Sequence, residues 1–213
     1  MIKKHLKTMI LTTIITLLPI LAGIILWNHL PEQMPIHWNV NGEVDGWVSK
    51  PMAVFGMPAL LAGLHWVCAF ATSSDPKKKN LSETSLHLVL WLCPALSLLV
   101  NAMTFLTGMG MDLAVETIAP LSMGVLFLVI GNYLPKCRQS YTVGIKIRWT
   151  LDSEANWNAT HRFAGWLWMT GGIAMIAASF LGKVWLFMVI ALVMTIPPFV
   201  YSYLYYRKHE GEK

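Results

Sequence analysis

The sequence predicts an all-α integral membrane protein with six transmembrane helices and both termini on the inner side. Three observations predict it. Apolar runs of about 20 residues lie near 7–28, 52–73, 84–107, 113–134, 162–182 and 184–206, and about 20 residues at 1.5 Å rise cover a bilayer core of about 30 Å. The 213 residues are 55% hydrophobic and 13% charged, where a soluble domain carries about 25% charge. Fourteen of the sixteen basic residues fall at the N-terminus, in loops two and four with the following helix start, and at the C-terminus, leaving Lys50 and Lys183 for the opposite side. Cytoplasmic loops hold the excess of Lys and Arg. This places the chain in the cell membrane as a multi-pass protein, a single membrane domain over 1–213.

The first run follows Lys3, Lys4 and Lys7, as a signal peptide would. However, the apolar stretch from Leu6 to Trp27 is long enough to span, and no small-x-small cleavage site follows it. It reads as a retained helix. The next loop, 29–51, holds Asn-Gly, Asp-Gly and Pro punctuation, which predicts a compact loop on the membrane surface. Trp38 and Trp47 are its expected interfacial anchors. His37, Asn39, Asn41, Glu43 and Asp45 alternate as hard donors, and Asn41-x-Glu43-x-Asp45-Gly46 imitates a Ca²⁺ loop. The closing glutamate position is Met52, so that motif fails. A looser divalent site on His37, Glu43 and Asp45 is the weak metal candidate, against hydrogen bonding of the turn itself. No cofactor is expected.

Loop two, SSDPKKKNLSE, reads as a basic topology signal and little else. Loop three, 108–112, is a Gly-rich turn, and Gly182-Lys183 forces the last two helices into a hairpin. Prolines 19, 58, 94, 120, 197 and 198 fall within spans, where kinks are tolerated. The polar groups inside the runs are His65, His87, Asn101 and Glu116. For Asn101 a hydrogen bond across helices is expected. With His65 it also supports an alternative reading, a small solute or ion transporter. The three cysteines lack a CxxC spacing and read as free thiols. Cys137, between Lys136 and Arg138, is the candidate for a reactive thiolate.

The segment from Gly131 to Gly165 departs from its apolar surroundings. It is dense in Trp, Tyr, Asn, His and charge. Thr150 or Asp152 is the expected cap of the helix that follows, with Asp152 and Glu154 at its positive end. Trp157, His161, Ala164 and Trp168 recur at helical spacing and predict one packing face. Glu154 and His161, seven residues apart, lie about 10.5 Å apart along a helix and do not share one ion. His161 therefore reads as an internal hydrogen bonder. No GxSxG, HExxH or P-loop occurs, so no enzyme is expected.

This segment closely resembles the signature of the SdpI family of bacterial membrane proteins. The matching residues are Gly131 to Lys136 with Asn132 and Pro135, then Tyr141, Gly144, Ile145, Trp149, Thr150, Leu151, Glu154, Trp157, Thr160, His161, Arg162 and Gly165. Family members usually have Asn where Ser140 stands and Pro where Arg148 stands. The earlier loop resembles a motif of unknown function found near the N-terminus of many such proteins, here Pro35, His37, Trp38, Asn39, Gly42, Asp45 and Trp47. The resemblance implies an N-terminal motif region near 7–73 and a signature region near 84–206. It also implies a non-enzymatic immunity protein that gives resistance to a secreted peptide toxin, with the outer motif meeting the toxin. The signature residues would meet a transcriptional repressor held at the membrane, with no direct contact to nucleic acid.

Overall fold

The computed structural model describes residues 2–182 and 184–209. Lys183 and the end of the charged tail, Lys213 included, lie outside the described residues. Seven α-helices occur among the described residues: α1 Leu6–Ile25, α2 Met57–Ser73, α3 Glu83–Gly108, α4 Val115–Tyr133, α5 Arg148–Asp152, α6 Glu154–Ser179 and α7 Val184–His209. Hydrocarbon offers the backbone no partner, so apolar segments close their own hydrogen bonds as helices.

Among the described residues, five helical stretches are long and apolar enough to cross a membrane: Leu6–Ile25, Met52–Ser73, Glu83–Gly108, Val115–Lys136 and Trp185–His209. The expected sixth run, 162–182, is also helical, but it belongs to α6, whose first turns hold Glu154, Asn156, Asn158, Thr160, His161 and Arg162. The protein is thus an all-α membrane protein with five such stretches and one helix of mixed character.

The chain divides into two compact units, Met1–Ser74 with Leu86–Val115, and Asp75–Ser85 with Glu116–Lys213. In the first unit, α1 packs on α2. Gly23 of α1 makes a close approach to the stretch just before α2, because a Cβ on it would lie 2.6 Å from Val54. Leu30, Met34, Ala53, Val54 and Phe105 form one buried cluster, and Met9, Ala69, Leu86 and Leu90 another. The expected surface loop is instead an antiparallel hairpin of β1 Gln33–Trp38 and β2 Val44–Ser49, with irregular register on either side of His37. Five residues, Met52–Gly56, then make one π-helical stretch leading into α2.

In the second unit α6 packs on α7. Gly124 and Gly131 of α4 meet Gly172 and Gly165 of α6 in antiparallel order, with ideal Cβ positions 2.8 Å and 3.0 Å from the facing carbonyls. Small residues let membrane helices approach this closely. The expected face of α6 is present. Trp157 and Ala164 are fully buried, and Trp168 meets Phe127 of α4 edge-on at 5.0 Å.

Candidate functional site

The signature segment of the second unit is folded around one carboxylate that sequence reasoning passed over. Asp75, in the loop read as a mere topology signal, is 2% exposed. Its Oδ2 accepts from Ser140 Oγ at 2.6 Å, Tyr141 N–H at 2.9 Å, Thr142 N–H at 3.0 Å and Thr142 Oγ1 at 2.8 Å. Its Oδ1 accepts from Lys77 N–H at 2.7 Å. Burial alone would raise this carboxyl, but hydrogen bonds from Ser140, Thr142 and the Lys77 and Tyr141 amides outweigh it and hold the group below its usual range. The basic loop therefore does more than set orientation, because it ties down the signature segment. Lys77 Nζ donates to Gln139 Oε1 and sits over the Tyr141 ring, and Asn80 Nδ2 donates to Gln139 O at 3.0 Å.

Gln139 extends the network. Its Nε2 donates to the carbonyls of Thr150 and Leu151, both at 2.8 Å, in the short helix α5. Thr150 is fully buried and closes the same turn, donating to Ile145 O at 2.7 Å while accepting from Ile147 N–H at 3.1 Å. The cap of α6 is neither Thr150 nor Asp152, as expected, but Ser153, whose hydroxyl accepts from Asn156 N–H at 3.2 Å. Asp152 is the last residue of α5 and faces Arg148 of the same helix at 3.7 Å.

His161 reaches the loop from α6. Its Nε2 accepts from Ile145 N–H at 2.9 Å, so the ring proton sits on Nδ1 and donates to Trp157 O at 2.8 Å. Both nitrogens are used by a neutral imidazole stacked on Trp157 at 4.0 Å. Burial drives its pKa down to about 4, opposed only partly by the Trp157 carbonyl. Trp157 in turn donates from Nε1 to Cys137 O at 2.8 Å. Gly144 passes directly over this pair with φ at 121°, and a Cβ there would lie 2.6 Å from His161 Nε2 and 2.7 Å from Trp157. Glycine alone fits both the backbone angle and the space.

The remaining signature residues sort by exposure. Thr160 donates to Asn156 Oδ1 at 3.0 Å, and Asn156 bonds in both directions with Ser202 of α7, all three buried. Trp149 packs on Tyr203 of α7, with ring centroids 5.1 Å apart. Pro135 is seated against Gly165. Asn132, Lys136, Tyr141, Glu154 and Arg162 are exposed, as are Arg138, Lys146 and Arg148. The segment is therefore a buried polar lock with a basic rim. Cys137 is no reactive thiolate. It is buried near Ser85, and burial pushes the thiol up despite the Ser85 hydroxyl.

The polar motif of the first unit is built differently. His37 and Asp45 pair across the hairpin at 2.5 Å, while Glu43 turns to Asn39 Nδ2 at 2.9 Å. Asn39 Oδ1 accepts from Asn41 and Glu43 amides, and Gly42 takes a φ of 79° in the turn. The three metal candidates are thus divided between two separate contacts. Trp47 is exposed and Trp38 half-buried. Lys50, expected simply as an outer charge, is buried at the base of the hairpin against Glu32 at 2.9 Å and the Trp27 ring.

Within the spans of the first unit, His65 meets Thr12 Oγ1 at 2.9 Å. Asn101 bonds Ser97 of its own helix, and the bond between helices is made by Ser97 to Thr16 O at 2.7 Å. His87 stacks edge-on with His5 at 6.0 Å.

Residues 136–202 match the SdpI/YfhL protein family, and residues 14–62 match a domain of unknown function, DUF1648. The chain is 27% identical over 215 residues to Immunity protein SdpI of Bacillus subtilis (strain 168), an alignment covering 97% of this chain and 100% of the relative. No solved structure matches. The first matched region contains the hairpin and the second contains most of the locked segment, and with its membrane-length helices this chain is a multi-pass cell-membrane protein similar to the SdpI/YfhL family.

Proposed function

We propose that this protein is a non-enzymatic membrane immunity protein that protects its own cell from a secreted peptide toxin. The observation that carries the reading is the likeness to an immunity protein over 97% of the chain. In this reading all six runs cross the membrane, α6 included, as one domain with both termini inside. The hairpin with His37, Trp38, Asn39, Gly42, Asp45 and Trp47 then faces outward, where a toxin arrives. The signature segment faces inward, and its exposed Lys136, Arg138, Lys146 and Arg148 suit an acidic protein surface, such as that of a repressor held at the membrane. The absence of a paired nucleophile and base among the signature residues fits a binding role. Expression in a toxin-sensitive strain tests the reading: survival is expected, and unchanged killing by related peptide toxins overturns it. Labelling of single cysteines placed at 41 and 146 tests the orientation, with position 41 expected to react from outside intact cells and position 146 only after lysis.

A further inference from the structure

Beside the lock, α6 and α7 enclose an open groove of about 380 Å³ lined by Ala159, Arg162, Phe163, Trp166 and Tyr201. Three donors point to a ligand there. The Arg162 guanidinium, the Trp166 indole N–H and the Tyr201 hydroxyl make no hydrogen bond or ion pair among the described residues, and no acidic residue lines the groove. Phe163 and Tyr201 stack at 4.7 Å and fix one wall, while Trp166 is 69% exposed. The level of the groove is set by sequence. Charged residues of α6 end at Arg162, and α7 passes through Tyr201, Tyr203, Tyr205 and Tyr206 into Arg207 and Lys208. Such aromatic and basic belts sit at the headgroup region. Toward the apolar parts of both helices, Ile173, Val193 and Ile196 are exposed, as acyl-chain contacts require.

We propose that this groove binds the phosphate of an anionic phospholipid. Arg162 supplies a forked, permanently charged donor to the phosphate oxygens. Trp166 and Tyr201 add neutral donors from the aromatic walls. The site goes beyond the immunity reading and stands without it.

The test uses the purified full chain in detergent, with native mass spectrometry counting bound lipid. Phosphatidylglycerol and phosphatidylcholine of equal chain length are compared, with inorganic phosphate in a separate arm. Wild type is expected to retain phosphatidylglycerol several-fold better than phosphatidylcholine. R162Q is expected to lose that preference and Y201F to weaken it, while K208Q, outside the groove, keeps it. Circular dichroism and elution volume confirm that each variant is folded. Equal retention of phosphatidylglycerol by R162Q and wild type overturns the proposal. Displacement of the lipid by millimolar inorganic phosphate overturns the lipid as the source of the anion.

Discussion

The hairpin of the first unit and the signature segment of the second are both short polar stretches rich in Asn, Gly, Trp and His. In the hairpin the His37 and Asp45 side chains are 70% and 45% exposed, so water reaches their remaining polar atoms, while the buried Trp38 indole N–H is left without a partner among the described residues. In the signature segment Ser140, Thr150 and Trp157 are fully buried and His161 is 1% exposed. There each donor and acceptor named above has a partner within the unit. A buried polar group without a partner costs about 1–3 kcal/mol, whereas an exposed pair contributes about 0–1 kcal/mol. The same residue types therefore decorate one region and hold the other together.

Removing the centre of the buried network should produce the largest effect. D75A leaves the Ser140 and Thr142 hydroxyls and three amides without their acceptor. We expect a loss of about 4 kcal/mol, or failure to fold, with D75N intermediate. Thermal unfolding in detergent reads this, and an unchanged midpoint for D75A would contradict the network.

Acid should act on the same region next. His161 is neutral when folded, with a pKa of about 4, and titrates near 6.5 when unfolded. Its contribution is complete above about 6.5 and falls away as pH drops toward 4, for a total of roughly 3 kcal/mol. Asp75, held low, adds its own loss only below its ordinary value of 3.8. Stability measured from pH 7 to 4 should decline in wild type and decline less steeply in H161F. Parallel curves would assign the acid limb to other groups.

G144A should follow, at about 2 kcal/mol, through the strained φ and the contact with His161. Hydrogen exchange at the Ile145 amide should rise with it, and an unchanged exchange rate would remove Gly144 from the lock. The smallest effect belongs to the hairpin. H37A should cost under about 1 kcal/mol, and a larger fall in the unfolding midpoint would mean that the hairpin is as tightly built as the lock.

Much of the second region was legible in sequence. The face of Trp157, His161, Ala164 and Trp168 follows from helical spacing, and His161 as an internal hydrogen bonder follows from its distance to Glu154. Asp75 was not legible. A single Asp before a proline and three lysines looks like any solvated turn, and its donors in the signature segment lie more than sixty residues away. Ser153 was missed as the cap because Thr150 and Asp152 carry equally good capping side chains. Only the break in the backbone between α5 and α6 selects among them. The hairpin was read as an irregular loop because Pro35 and two register shifts break its alternation.

The sequence alone determined that the chain lies in a membrane and where its helices run, because apolar length and backbone self-satisfaction are local properties. It also carried the resemblance to a known family, through residues whose spacing is fixed along the chain. Tertiary structure alone decided which polar residues are structural and which remain available. Asp75, Gln139 and Gly144 acquire their roles from partners distant in sequence, and burial, which sets the cost of leaving a polar group unpaired, exists only once those partners have met.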